Sequence, residues 1–177
     1  MAGLSRDVCF WTVWLLLANL LACSAARAES GGPKTEEVEH KFVVGVGAAA
    51  ELELGDGSFH PGGNLMIEFE PIEDWLEVEI GASVLATKGG TQVPVDLLLK
   101  KPFQLTHRLD FMIGAGPEVV CDSRSPHGLR VGVEGALDLM FWPSQNVGVW
   151  FEPSYDVVFH SGLSHGLGST GGLLIGW

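Results

Sequence analysis

From Lys41 to the final tryptophan, apolar residues alternate with polar ones or glycine, and the charges obey the same alternation. One side of this pattern collects Val44, Val46, Leu65, Ile67, Val78, Ile80, Leu97, Leu99, Phe111, Ile113, Val131, Val133, Leu137, Leu139, Val149, Phe151, Leu173 and Ile175. The other collects Glu51, Glu53, Glu68, Glu70, Glu77, Glu79, Asp96, Asp110, Glu118, Glu134, Asp138, Glu152 and Asp156, with Lys100 and Arg130. A period of two is the period of a strand, whose successive side chains point to opposite faces. Thirteen acids sorted to one side leave little room for another reading. Glycine and proline clusters recur at short intervals, and no convincing amphipathic helix is present, so the chain reads as an antiparallel all-β meander. Eight strands are expected, at about 41–54, 63–70, 75–87, 91–100, 108–120, 128–142, 146–159 and 170–177.

Alternation does not say which face is inside. A soluble barrel or sandwich turns the apolar face inward; a membrane barrel turns it toward lipid. Three features favour the membrane. Met1 to Ala28 resembles a secretory signal, with Arg6, an apolar run from Val8 to Ala22 and the Ala26-Arg27-Ala28 cleavage pattern. Leu20-Leu21-Ala22-Cys23 offers the competing reading of a lipoprotein signal acylated at Cys23. The last eight residues alternate up to Trp177, as in the closing strand of an outer-membrane barrel. Trp75, Phe103, Phe141, Trp142, Phe159 and Trp177 fall near strand ends, where interfacial girdles lie. Other features resist. Like charges repel one another in a narrow lumen, Pro94, Pro117 and Pro153 fall inside strands, and Trp150 lands on the polar face.

The domain organisation expected is a signal peptide over 1–28, an acidic leader over 29–40 and a barrel over 41–177. Cleavage removes Arg6, Arg27 and Asp7 from 10 basic and 22 acidic residues, leaving 8 against 21 and a net charge of −13. Nucleic-acid binding is excluded on that balance, because phosphate contact needs clustered Lys and Arg. Cys9 and Cys23 leave with the signal, so Cys121 is expected to be a lone loop thiol. No Cys/His cluster suggests structural zinc, and no cofactor is expected. With eight strands, one end carries turns at Pro71–Asp74, Lys101–His107 and Pro143–Asn146. The other carries loops at Gly55–Gly62, Lys88–Gly90, Cys121–His127 and His160–Ser169. These loops are short, which lends little support to an adhesin or receptor.

At Leu139-Met-Phe-Trp-Pro143, Phe151-Glu-Pro-Ser-Tyr155 and Gly171-Gly-Leu-Leu-Ile-Gly-Trp177 the chain resembles the small outer-membrane β-barrel proteins of proteobacteria, and Ile113-Gly-Ala-Gly-Pro-Glu118 fits the same pattern. The resemblance is carried mainly by Phe111 to Trp177. It implies an eight-stranded antiparallel up-and-down transmembrane β-barrel in the bacterial outer membrane, and it implies no established activity.

Candidate chemistry is sparse. His160-Ser161 and Ser164-His165 are the close Ser/His pairs, and lipid A-modifying barrel hydrolases place such residues near the outer rim. A nucleophile, however, needs its base within about 3 Å and a third group to orient it. The acids suggest a cation pore or a divalent site, carboxylates being suited to Ca²⁺ and Mg²⁺. Side chains essentially fill a barrel of eight strands, so an internal polar network is the preferred reading. Its expected members are Arg130, Glu134, Asp138, Glu118, Glu79, Asp96 and Glu152, with Arg130 as hub and Lys100 as the other base. Trp75, Trp142 and Trp177 are expected at the membrane interface, or in assembly. The glycines do not open helices after strands and so do not cradle phosphate; they allow tight curvature.

The function expected is a monomeric envelope protein with a structural role and no enzymatic activity. Its partners would be outer-membrane lipid, lipopolysaccharide and the barrel-assembly machinery, the last through the terminal strand. The alternatives are a periplasmic lipocalin-like barrel holding a small apolar ligand and a lipid A hydrolase using His160 and Ser161.

Overall fold

The computed structural model describes residues 40–123, 129–159 and 162–177. The expected signal peptide with Cys23, nearly all of the leader, and the pair His160 and Ser161 lie outside the described residues. Eight strands form the domain: β1 Phe42–Glu53, β2 Phe59–Ile72, β3 Leu76–Thr87, β4 Gly90–Thr106, β5 Leu109–Asp122, β6 Leu129–Phe141, β7 Val147–Phe159 and β8 Leu163–Gly176. Each pairs antiparallel with its chain neighbour, and β1 pairs with β8 from Val43↔Gly176 to Glu53↔Gly166, closing the barrel. Phe42 and Trp177 complete the seam with reciprocal main-chain hydrogen bonds of 3.2 and 3.1 Å. The shortest strands have 12 residues, more than the roughly 9–11 that cross a bilayer when tilted.

The apolar face points outward. Val46, Leu99, Ile113, Leu137, Phe151, Leu173 and Ile175 are all exposed, while Glu68, Glu79, Lys100, Glu118, Asp138, Glu152 and Asp156 are buried in the lumen. A soluble barrel with an apolar ligand cavity requires the reverse, so the lipocalin-like alternative loses its cavity. Such a belt belongs against hydrocarbon, where only a closed sheet satisfies every backbone group.

Three strands outrun expectation. β2 begins at Phe59, inside the expected loop Gly55–Gly62; β4 runs to Thr106, through the expected turn Lys101–His107; β8 begins at Leu163 rather than 170. The misread segments are rich in Gly, Ser, Lys and Pro, which read as turn chemistry. Main-chain pairing does not depend on that chemistry: β8 is laddered from Leu163↔Phe159 onward, and Pro102 and Phe103 of β4 face Met112 and Phe111. On the added turn of β4, Lys101 points outward, hydrogen-bonds the Asp74 carbonyl at 2.5 Å and lies 5.9 Å above the Phe103 ring. That is the posture of an interfacial lysine.

The strand prolines are accommodated by one device. Each is paired on one side and lies opposite an interruption on the other. Pro94 pairs with Val120, and the β3–β4 partners break between Ala82↔Val95 and Leu85↔Gln92. Pro117 pairs with Val133 opposite a break between Asp96↔Glu118 and Leu99↔Ala115. Pro153 pairs with Ser169 opposite a break between Ala136↔Ser154 and Leu139↔Phe151. A residue in an antiparallel strand directs its N–H and C=O to the same neighbour, so the missing donor falls where the ladder is already open. Trp150 is likewise explained: it lies over Gly172, where a Cβ would meet the indole.

Leu137 is outward near the middle of β6, whereas Val131 and Val149 lie nearer the ends of their strands. Arginine at Leu137 is expected to cost about 2–4 kcal/mol in lipid vesicles, and less at Val131 or Val149, as depth falls. Urea unfolding of the vesicle-inserted barrel measures this; an unchanged midpoint for Leu137→Arg would remove lipid from the outer face.

Candidate functional site

The lumen is built in layers. At the end where β1 begins and β8 finishes, here called the base, Trp142 stacks on His40 with centroids 3.8 Å apart, and His40 Nε2 donates to the Gln145 carbonyl at 2.5 Å. Trp142 is 5% exposed, which corrects its assignment to the membrane interface. It follows outward-facing Phe141 directly, so alternation turns it inward, where Val43, Met66, Met112, Met140, Trp150 and Leu174 join it in one apolar cluster. Trp75 and Trp177 are exposed. Trp177 also packs against Phe42 at 5.2 Å between centroids.

Beside this plug stands the ion cluster. Lys100 Nζ donates to Glu79 Oε2 at 2.6 Å, Asp138 Oδ2 at 2.9 Å and Glu152 Oε2 at 2.5 Å, with Glu68 Oε2 at 3.6 Å. An ammonium has three donors, and all three are used. Four strands supply the acids: β2, β3, β6 and β7. Lys100 reaches them because Gly114, its neighbour on β5, leaves room; a Cβ there would strike Lys100 Cγ. The lysine side chain is fully buried, so the cluster ties strands across the lumen in a region that solvent does not reach.

Arg130 is therefore not the hub. It sits at the opposite end, here called the rim, with Nη2 3.5 Å from Asp122 Oδ2. The sequence reading placed Arg130 mid-lumen because both bases lie on the acidic face. Height along the barrel depends on strand stagger, which sequence spacing does not show. Of the other expected members, Glu79, Asp138 and Glu152 bind Lys100, while Asp96, Glu118 and Glu134 line a cavity nearer the rim that Glu79 and Glu152 also border. Glu68 belongs to the lysine cluster and was not singled out; its place on the acidic face was the available signal.

The described Ser/His pair does not assemble. Ser164 donates from inside to Glu53 Oε1 at 3.0 Å, whereas His165 Nδ1 meets the exposed Tyr155 hydroxyl at 2.7 Å. Adjacent strand residues face opposite ways, and these two side chains are held by different partners on different sides. Cys121, expected as a lone thiol, is disulfide-bonded.

Comparison with known proteins places this geometry. No family model matches the chain. A UPF0262 protein of Rhizobium meliloti (strain 1021) is 30% identical over 95 residues, which are 54% of this chain. The chain thus spans 57% of that relative's length. Among solved structures, Neisserial surface protein A superposes with a TM-score of 0.60 at 13% identity, covering 77% of this chain and 97% of its own. The outer membrane protein OprG of Pseudomonas aeruginosa gives 0.55 at 14% identity, covering 79% and 98%. The N-terminal β-barrel domain of OprF from the same organism gives 0.52 at 13%, covering 77% and 100%. By fold the chain is a small closed eight-stranded antiparallel β-barrel like those of these outer-membrane proteins.

Removing the cation from a buried cluster leaves its partners uncompensated and typically costs about 3–5 kcal/mol. Lys100→Met is expected to lose that much, whereas Arg130→Ala, whose ion pair with Asp122 is a looser contact of 3.5 Å, is expected to lose less. Urea midpoints for the two variants give the comparison; equal losses would put the hub elsewhere.

Proposed function

We propose that the protein is an outer-membrane barrel with a structural role in the envelope, closed to ion flow and without chemistry of its own. The observation that carries this reading is the filled base of the lumen. Trp142, the methionine cluster and the Lys100 ion cluster occupy the space through which a conducting path would run. Eight strands enclose an interior just wide enough for side chains, and here those side chains interlock. The outward apolar belt fits lipid, and the terminal aromatic at the β1–β8 seam fits recognition by the barrel-assembly machinery. Lipid and lipopolysaccharide would be its lateral partners, and a monomer suffices, since the sheet has no free edge.

Envelope fractionation with gel mobility before and after boiling tests location and closure together. The expected result is outer-membrane protein that migrates differently once boiled, and planar bilayers without discrete conductance steps. A soluble periplasmic product, or steady single-channel currents from the intact barrel, would overturn the reading.

A further inference from the structure

The outward face of the described strands is mostly apolar. Of the basic side chains on these strands, His60, Lys100 and Arg130 turn inward, whereas Lys101 and His165 face out. The two outward ones stand at opposite ends of the barrel. Lys101 lies near the base and donates to the Asp74 carbonyl. His165 lies near the rim, at the start of β8, where it pairs across the ladder with Val157. Its Nδ1 meets the Tyr155 hydroxyl at 2.7 Å, and the two rings stack with centroids 6.0 Å apart and planes inclined by 24°. A phenol O–H that donates to Nδ1 places the imidazole's own proton on Nε2. Among the described residues nothing accepts from that nitrogen.

An N–H without an acceptor is costly in hydrocarbon, so the height of His165 decides what it meets. From Trp177 back to His165 the outward face of β8 runs through twelve residue steps. At roughly 3.3 Å per residue and a tilt of about 40°, these cover about 30 Å along the barrel axis. The apolar band of an outer-membrane barrel is about 25 Å tall. With Trp177 at the base interface, His165 therefore stands just beyond the band at the opposite one. Tyr155, paired with Leu167, stands at its edge, the level at which an aromatic ring sits in apolar surroundings and its hydroxyl among headgroups. Exposed Phe159 and Leu163 lie at the same end.

We propose that the Tyr155–His165 pair binds a phosphate of the phosphorylated glycolipid of the outer leaflet, lipopolysaccharide. The proposal rests on the envelope reading above and names the contact through which that lateral partner is held. A phosphate oxygen is an anionic acceptor, and hydrogen bonds to a charged acceptor are roughly twice as strong as neutral ones. His165 makes the contact through Nε2, and Tyr155 holds the ring and its tautomer. Glu53 and Asp156 face the lumen, so the sheet separates their carboxylates from the outward nitrogen. Lys101 is the natural comparison, since it is the other outward base and turns to an acceptor of its own chain.

The test uses the full barrel folded in a detergent with an uncharged headgroup, its closure read first as the heat-dependent gel shift. Purified lipid A is titrated in, and the complex is counted by native mass spectrometry. Lipid A stripped of its phosphates and phosphatidylglycerol are run in parallel. The expected result is one lipid A per barrel, held about tenfold more weakly after His165→Ala or after phosphate removal, the loss of one hydrogen bond to a charged group. Tyr155→Phe should weaken binding in the same direction, and it keeps the test open where His165→Ala does not fold. Lys101→Gln should leave binding unchanged. Equal binding of the stripped lipid, or by the His165 and Tyr155 variants, in a shifted barrel would overturn the proposal and leave the envelope reading standing. Phosphatidylglycerol held as tightly as lipid A, or an equal loss with Lys101→Gln, would overturn it too, because the contact would then be with anionic lipid at large. A chain that shows no shift would overturn the barrel reading and the proposal together.

Discussion

A backbone surrounded by hydrocarbon can place its hydrogen bonds only on itself, and this condition governs the molecule. It requires the last strand to meet the first, and β8 does so with β1 along nearly its whole length. Closure in turn fixes a narrow interior, and a narrow interior fixes which side chains fit. Glycines fall where the sheet turns most tightly onto itself; a Cβ on Gly47 would collide with the Gly171 carbonyl across the seam. The prolines obey the same condition, each directing its missing donor to a place where the ladder is already broken.

Once closed, the barrel must neutralise what it has enclosed. Turning the acidic face inward gives the lumen far more carboxylates than bases, and Lys100 is the base that reaches the middle of them. A buried cluster of this kind is not in itself a source of stability, since desolvation offsets most of the attraction. Its consequence is specificity of register. Glu68, Glu79, Asp138 and Glu152 reach one ammonium only when four different strands stand at the correct heights. A slip of one residue in any of these strands would turn its acid to the outer face. The methionine and tryptophan plug at the base is adaptable by comparison, filling irregular space with flexible side chains.

The two-faced sheet and the eight strands were legible because alternation is a property of neighbouring residues. Strand ends were less so over 59–62, 101–106 and 163–169, where Gly, Pro, Lys and Ser read as turn chemistry while the main chain alone carries the pairing. The site was legible in kind: the acidic face, two bases and a filled lumen followed from composition and period. Its centre was not. Arg130 and Lys100 are equivalent by face, and only their heights distinguish them. Trp142 shows a related limit, being one residue past Phe141 and therefore on the other side of the sheet.

By itself, then, the sequence determined which residues share a face, how many strands there are, and that the strand acids gather on one side of the sheet. That information is local, carried by a period of two along the chain. The tertiary structure alone decided which face is inside and at what height each base meets the acids. Those outcomes depend on closure and stagger, which bring together residues as far apart in the chain as Glu68 and Glu152, and no local pattern encodes the height at which such residues meet.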